Sequence, residues 1–284
     1  MNVADAMTPR ADLVTVSLPG SREDVLTYLQ EYRFSSVPVV KGEGDEEVYR
    51  GLVSRDDLID EPDEDQLALL MREVPTVTPD TNLRDAAQVM LGGSRRVPVL
   101  EDHDSDTLAG IVTVTDIVRA IAREEVDADA DCDAVAGTEV NTVYTATPLT
   151  VAERQLFFAN VPYAVALDDD GEMAGVLTEV DVLDVARVVE GEDDTGDSIA
   201  DQDDDWKWEG IKAVGSSYVP TRNVEIPIQP VEEFMTADVV TVSRRRSVTE
   251  AAQAMITDDI EQIPLLAGGE LVGVVRDVNL LEAL

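Results

Sequence analysis

The chain has 284 residues, enough for two modest domains with real cores. Its 60 acidic residues against 21 basic ones give a formal net charge of −39, which disfavours a nucleic-acid partner, because counterion release needs a basic face. No run of about 18 apolar residues is present, so no membrane span is predicted, and one cysteine (Cys132) with one histidine (His103) excludes an internal disulfide, a Cys-rich zinc site and a His-paired metal site.

Four segments follow one grammar along the chain, and such a repeat organises everything else. Each opens with a short β-branched run, then a helical stretch, then a hydrophobic–Pro pair that starts a strand. After a turn, a Gly-led strand runs into a second helix. Copy one has Val14-Thr15-Val16, then Val37-Pro38-Val39-Val40, then Gly51-Leu52-Val53-Ser54. Copy two is the clearest. Val74-Pro75-Thr76-Val77-Thr78 reads as extended, and Leu83, Ala86, Ala87, Met90 and Leu91 fall at offsets 0, 3, 4, 7 and 8 on one helical face. Val97-Pro98-Val99-Leu100 is a strand with proline at its start, where no ladder donor is lost. Gly110-Ile111-Val112-Thr113-Val114 is the next strand, and a closing helix begins at Thr115-Asp116.

Residues 124–133 hold six acids in ten positions and read as a linker or solvated helix end. Copy three has Val161-Pro162 and Gly175-Val176-Leu177-Thr178, and its helical stretch, residues 151–160, is expected to be several residues shorter than in copy two. An insert, residues 190–230, follows; it starts with nine acids in sixteen residues, a composition for loop or disorder. Trp206, Trp208, Tyr218, Val219, Val224 and Ile226 make its remainder too apolar for a mere tether. It reads as extra strand packed on the fold or as a partner-docking element. Copy four has Val239-Val240-Thr241-Val242, Ile263-Pro264-Leu265-Leu266 and Gly273-Val274-Val275-Arg276. The Pro-to-Gly spacing in the four copies is 13, 12, 13 and 9 residues, varying in turns such as Asp169-Asp170-Gly171 and Gly268-Gly269. The first of these is no calcium loop, because Met173 stands where an EF-hand needs its sixth-position glycine.

Gly-hydrophobic-x-[Ser/Thr]-x-x-Asp recurs as Gly51…Ser54…Asp57, Gly110…Thr113…Asp116 and Gly175…Thr178…Asp181. A strand ends there and a helix begins, so free N–H groups and the helix dipole favour phosphate, and the Asp suits ribose hydroxyls. One such motif alone is an ordinary helix cap; three in register favour nucleotide binding. Copy four departs, with Arg276 for the hydroxyl and Asn279 for the acid, so a weak, empty or altered site is expected there.

The grammar resembles the CBS domain, named for cystathionine β-synthase, over nearly the whole chain, and is most similar to stand-alone archaeal four-CBS proteins related to the γ subunit of AMP-activated protein kinase. The resemblance implies an α/β fold of α+β-type repeats, with four CBS motifs paired as two pseudo-two-fold Bateman modules. Module one is expected at residues 1–123 (motifs 1–62 and 67–123), an acidic linker at 124–136, and module two at 137–284 (motifs 137–189 and 231–284, with the insert 190–230). In CBS domains the residues matching Ser54, Asp57, Thr113, Asp116, Thr178 and Asp181 contact phosphate and ribose. The adenine would lie between opening strands and hydrophobic–Pro segments: Val74, Thr76, Val97 and Pro98 in copy two, Val14, Thr15, Val37 and Pro38 in copy one. Family sites often place basic residues where Arg95 and Arg96 stand; Arg244-Arg245-Arg246 draws notice for the same reason. Charge balance against neighbouring carboxylates is the competing reading for both groups.

The reading is therefore a non-enzymatic regulatory protein of the cytoplasm, without signal peptide, taking an adenine nucleotide (AMP, ADP or ATP) as regulatory ligand and needing no obligatory cofactor. S-Adenosylmethionine or another adenosine ligand, and a structural scaffold with degenerate sites, stay as alternatives. An enzyme such as a dehydrogenase bearing a CBS insert is rejected, because no chain remains for a barrel of about 200 residues or more and no catalytic Cys–His arrangement is read. A homodimer or an internal four-CBS disk, and an unidentified target protein, are left open. The acids are spread over the whole chain, which fits a molar-salt environment such as that of salt-accumulating halophilic archaea better than a docking face for a basic partner.

Overall fold

The structure is a computed structural model that describes residues 1–31, 36–42, 44–54, 57–58, 61, 64–190, 208–209 and 222–284. The chain forms two compact units. Unit one is Met1–Gly137 with Thr241–Ala267 and Gly273–Leu284; unit two is Thr138–Val240 with Gly268–Val272.

Each copy builds the same small sheet from the same sequence marks. In copy one, Val16–Leu18 runs parallel to Ser36–Lys41, which pairs antiparallel with Val48–Ser54. In copy two the opening strand shrinks to a single parallel bridge, Val77 to Val99, beside the antiparallel pair Arg96–Leu100 and Leu108–Thr113. Copy four orders its strands Val242–Ser243, Gln262–Ala267 and Glu270–Arg276. In unit two, copy three repeats the pattern with Thr142–Tyr144, Tyr163–Leu167 and Met173–Thr178. β-Branched residues in these runs suit a pleated surface buried on one side.

The helices sit where the 3.6-residue pattern predicts. The copy-two helix Leu83–Leu91 buries Leu83, Ala86, Ala87 and Met90, while Leu91 is half-buried, and the Asn82 side chain caps it by accepting from the Arg84 N–H at 3.0 Å. Full burial of a Leu or Met stabilises by about 1.5–3 kcal/mol each, so this face outweighs the cap. The copy-three helix corrects an expectation. It spans Leu149–Ala159, eleven residues, and is longer than the nine of Leu83–Leu91. It starts directly after Pro148, whose extended backbone suits a helix entrance, and ends at Asn160 in the left-handed region, φ 52°.

Copies associate by exchanging the segment before each opening strand. Thr8-Pro9, ahead of copy one, pairs with Ile111 and Gly110 of copy two. Arg72, ahead of copy two, exchanges two backbone hydrogen bonds with Leu52 of copy one. Within unit one, Gly137, ahead of copy three, does the same with Val274 of copy four; within unit two, Thr236, ahead of copy four, does so with Val176 of copy three. Within unit one the exchange pairs copy one with copy two. It also explains the four recurrent glycines. A Cβ on Gly51, Gly110, Gly175 or Gly273 would lie 2.8, 2.4, 2.7 or 2.7 Å from the crossing carbonyl of Arg72, Thr8, Thr236 or Gly137. No side chain fits between the backbones.

Part of the predicted acidic linker is ordered. Cys132–Val135 forms one helical turn, buries Cys132 and Val135, and lies against copy four, with the Cys132 N–H donating to the Arg246 carbonyl at 2.8 Å. Arg187–Glu190, which runs into the insert, pairs with Arg222–Glu225 and this with Trp208–Glu209 in a three-stranded antiparallel sheet with Arg222–Glu225 in the middle. The rest of the acidic tract and Trp206, Tyr218 and Val219 lie outside the described residues. Among the described residues, no helix is long and apolar enough to cross a membrane.

Candidate ligand-binding site

The strand registers superimpose copies one, two and three residue by residue. Arg96 stands opposite Thr113, Ser36 opposite Ser54, and Tyr163 opposite Thr178. The carbonyls of Arg95, Pro162 and Glu261 each accept from the first N–H of the following helix, at Val114, Glu179 and Asp277. Arg95-Arg96 in copy two thus becomes Pro162-Tyr163 in copy three and Glu261-Gln262 in copy four. This corrects the sequence reading of copy three: Ala164-Val165, not Val161-Pro162, occupies the place of Val97-Pro98. Pro162 lies just outside its strand, where a missing N–H is equally harmless, so the proline alone misled.

The hydroxyl–Asp motifs form closed caps. Thr113 Oγ1 donates to Asp116 Oδ2 at 2.8 Å and accepts from the Asp116 N–H at 3.3 Å, while the Thr113 N–H donates to Asp116 Oδ2 at 3.0 Å. Ser54 with Asp57 and Thr178 with Asp181 repeat this geometry. In copy four the Arg276 N–H donates to Asn279 Oδ1 at 3.0 Å, so asparagine keeps the backbone cap without the charge. The second oxygens are engaged too: Asp116 Oδ1 accepts from Arg119 at 2.9 Å, and Asp57 Oδ1 faces Arg72. Arg119 and Arg72 were not singled out in the sequence; their spacing from these acids was the available signal for Arg119, three residues on.

The two arginines before Val97 part company. Arg95 grips Asp277 with both terminal nitrogens, at 3.2 and 2.5 Å, and reaches Glu261 at 3.2 Å. Burial opposes its charge, but the hydrogen bonds and charges of Asp277 and Glu261 outweigh it and raise the pKa above the ordinary arginine value. For this residue the charge-balance reading describes the contacts. Arg96 donates to the Ser36 carbonyl at 3.2 Å. Burial first, and the neighbouring Arg95 second, lower its pKa. It is a half-buried cation with no carboxylate hydrogen-bonded to it among the described residues, placed where copy two meets the Ser36-Val37-Pro38 segment of copy one. Arg244 and Arg246 pair with Asp133 and Glu250 at 3.2 and 2.7 Å.

The proposed adenine-cleft residues divide by burial. Val37 and Val97 are fully buried and Pro38 and Pro98 buried, as core residues are. Val14, Thr15 and Val74 are half-buried and Thr76 is exposed; Thr15 Oγ1 accepts from Arg10 at 3.2 Å. Ser36, buried and equivalent to Arg96, was missed by sequence reasoning, although its place directly before Val37-Pro38 was the available signal. Asp168 Oδ1 accepts from the N–H groups of Asp170 and Glu172, which makes the Asp-rich turn a hairpin cap.

Repeated strand–helix–strand–strand units whose leading segments cross to a neighbouring copy, with capped strand–helix junctions, define the class of fold. The CBS domain family model matches residues 3–64, 67–123 and 231–284, together more than half of the chain, and the chain belongs to the CBS-domain family. It is 27% identical over 283 residues, 99% of its length, to the uncharacterized protein MJ1404 of Methanocaldococcus jannaschii, and spans 61% of that relative's length. It is similar to the crystal structure of an uncharacterized conserved protein from Pyrococcus horikoshii, with TM-score 0.69, 27% identity and 99% of each chain covered. It also shares the fold of protein MJ1225 from Methanocaldococcus jannaschii, a proposed archaeal homolog of γ-AMPK, with TM-score 0.66, 18% identity and 99% of each chain covered.

Proposed function

We propose that this CBS-domain protein is a non-enzymatic sensor that takes an adenine nucleotide at the site shared by copies one and two. The observation that carries the reading is Arg96. Its guanidinium is half-buried and bonded to the Ser36 carbonyl rather than to a carboxylate, and although Glu261 and Asp116 partly support its charge, burial and Arg95 oppose it more, so a phosphate fits its fork of donors. Beside it, the Thr113–Asp116 cap can turn its hydroxyl to phosphate and its carboxylate to ribose by exchanging the bonds it now makes internally and to Arg119, and Val14, Thr15, Val74 and Thr76 rim an apolar floor for adenine. Binding acts as a signal when the ligand's affinity differs between two conformations of the protein.

The domain boundaries proposed with it are modules at residues 1–123 and 137–284 joined by 124–136, in the cytoplasm and independent of any obligatory cofactor. Copies three and four lack the arginine pair and contribute weaker sites or none.

Calorimetric titration in about 2 M KCl, where surface charge is screened, with AMP, ADP, ATP and S-adenosylmethionine tests the reading. Saturable binding of one nucleotide, lost in Arg96→Ala and in Asp116→Ala, supports it and names the metabolite. Preference for S-adenosylmethionine unaffected by Arg96→Ala moves the assignment to a phosphate-free adenosine ligand. Absence of binding by folded protein leaves a scaffold.

A further inference from the structure

Copy four has lost the hydroxyl and the acid of the ligand motif, yet it carries a buried carboxylate at the next position. Asp277 stands where copy two has Val114 and copy three has Glu179. Its side chain is 7% exposed and that of Arg95 is 44% exposed, so the pair is open from the arginine side. Both carboxylate oxygens of Asp277 occupy the terminal nitrogens of Arg95, and Oδ1 also accepts the Val278 N–H at 2.7 Å. A cavity of about 120 Å³ adjoins the pair, lined by Thr115, Arg119, Glu261 and Asp277 among others. All of these residues belong to unit one.

A carboxylate and a phosphate compete for the same planar fork of guanidinium donors. We propose that Asp277 is a resident phosphate mimic: it holds Arg95 of copy two until the terminal phosphate of an adenosine ligand takes its place. The exchange makes Asp277 a specificity-determining residue, because only ligands ending in phosphate gain Arg95. It also couples the site to copy four, because the Asp277–Leu280 turn loses its tie to copy two when the ligand binds. This rests on the nucleotide reading above and adds the residue that reports occupancy.

The test uses the full chain with AMP and adenosine as probes. Asp277→Asn leaves Arg95 held only by the exposed Glu261, so AMP binding tightens by about ten-fold, the scale of one hydrogen bond to a charged group, while adenosine binding does not change. The gain disappears in the Arg95→Ala, Asp277→Asn double variant. In unaltered protein, amide exchange at residues 277–284 speeds up when AMP is added, a reading that does not depend on how well a variant folds. AMP binding with unchanged exchange in that segment, or an Asp277→Asn gain that persists without Arg95, overturns the proposal and leaves the nucleotide reading intact. Failure of unaltered protein and Asp277→Asn alike to bind either probe removes both.

Discussion

Copies two and three have the same ladder and different chemistry. Pro98 opposite Ile111 and Val99 opposite Gly110 become Val165 opposite Val176 and Ala166 opposite Gly175, and Thr113–Asp116 becomes Thr178–Asp181 with the same bonds. Where copy two has Arg95-Arg96, copy three has Pro162 and a buried Tyr163. Positions inside the ladder are held by core packing and by the crossing backbone, and they do not vary in kind. The strand-start position lies at the end of the ladder and holds Ser36, Arg96 or Tyr163 in different copies, so a copy can lack the cation and keep its fold. Folding marks and binding marks are therefore separable, and substitutions should separate them.

The largest effect should be common to both copies. Gly110→Ala puts a methyl 2.4 Å from the Thr8 carbonyl and Gly175→Ala one 2.7 Å from the Thr236 carbonyl, with the Met7 and Met235 sulfurs at 3.1 and 2.9 Å. Relief requires moving a paired backbone, and overpacking of this kind costs about 1–3 kcal/mol or more. Both variants should lose stability by the upper part of that range in denaturant titrations at high salt. Gly171→Ala, at φ 78° with open space around its Cβ, should lose only about 1 kcal/mol of backbone strain. Equal losses at Gly171 and Gly110 would break the claim that segment exchange fixes the glycines.

Next in size, Arg96→Ala should weaken AMP binding by about 100-fold, the scale for removing a buried charged partner of a bound anion. Arg96→Lys should recover part of it, as a point charge without the fork. Tyr163→Phe, at the equivalent position in copy three, should leave AMP affinity unchanged. A comparable loss from both would show that copy three supplies a site despite its missing cations.

What was legible in the sequence follows the same division. The period of Leu83, Ala86, Ala87 and Met90 and the Gly-led strands gave the elements, because burial acts locally on period and shape. Copy three was misaligned at Pro162, because proline is tolerated both at a strand's first residue and just before it, and only the ladder distinguishes them. Its helix start at Leu149 was missed because Pro148 reads equally as loop or as helix entrance. Arg95's partner was illegible for a different reason: Asp277 lies 182 residues away, and pairing at that separation depends on how copies two and four meet. The hydroxyl–Asp marks were legible as caps and as ligands at once, since both uses need the same groups at the same junction.

That double use gives a finer test. Thr113→Val and Thr178→Val each remove a hydroxyl that caps a helix, with acceptor distances of 3.3 Å to the N–H of Asp116 and of Asp181. Each should cost about 1 kcal/mol of stability, measured by thermal or denaturant unfolding. Only Thr113→Val should also weaken AMP binding, by about ten-fold if one charge-assisted contact is lost. Matched stability losses with a one-sided binding loss would separate capping from ligation within a single motif.

The smallest effect concerns the segment that crosses to copy two. Just past Thr8-Pro9, Arg10 grips Glu47 of copy one with two bonds, Nε to Oε1 at 2.6 Å and Nη2 to Oε2 at 2.7 Å. The segment that crosses to copy three is followed by Ala237-Asp238, which offers no cation. The hydrogen bonds from Arg10 outweigh burial and hold the Glu47 pKa below its ordinary value of 4.5. A carboxylate with a depressed folded pKa adds stability that is fully present above about 4.5 and is lost as pH falls through the folded value. Glu47→Gln should therefore cost up to about 1 kcal/mol at neutral pH in low salt, the range for a partly exposed pair. The difference from unaltered protein should hold down to about pH 5, shrink below 4.5 as Glu47 itself becomes neutral, and shrink also in molar salt at any pH. A difference that grew in acid would mean the charge is a burden at this position, and that the crossing segment is held by Gly110 and its ladder bonds alone.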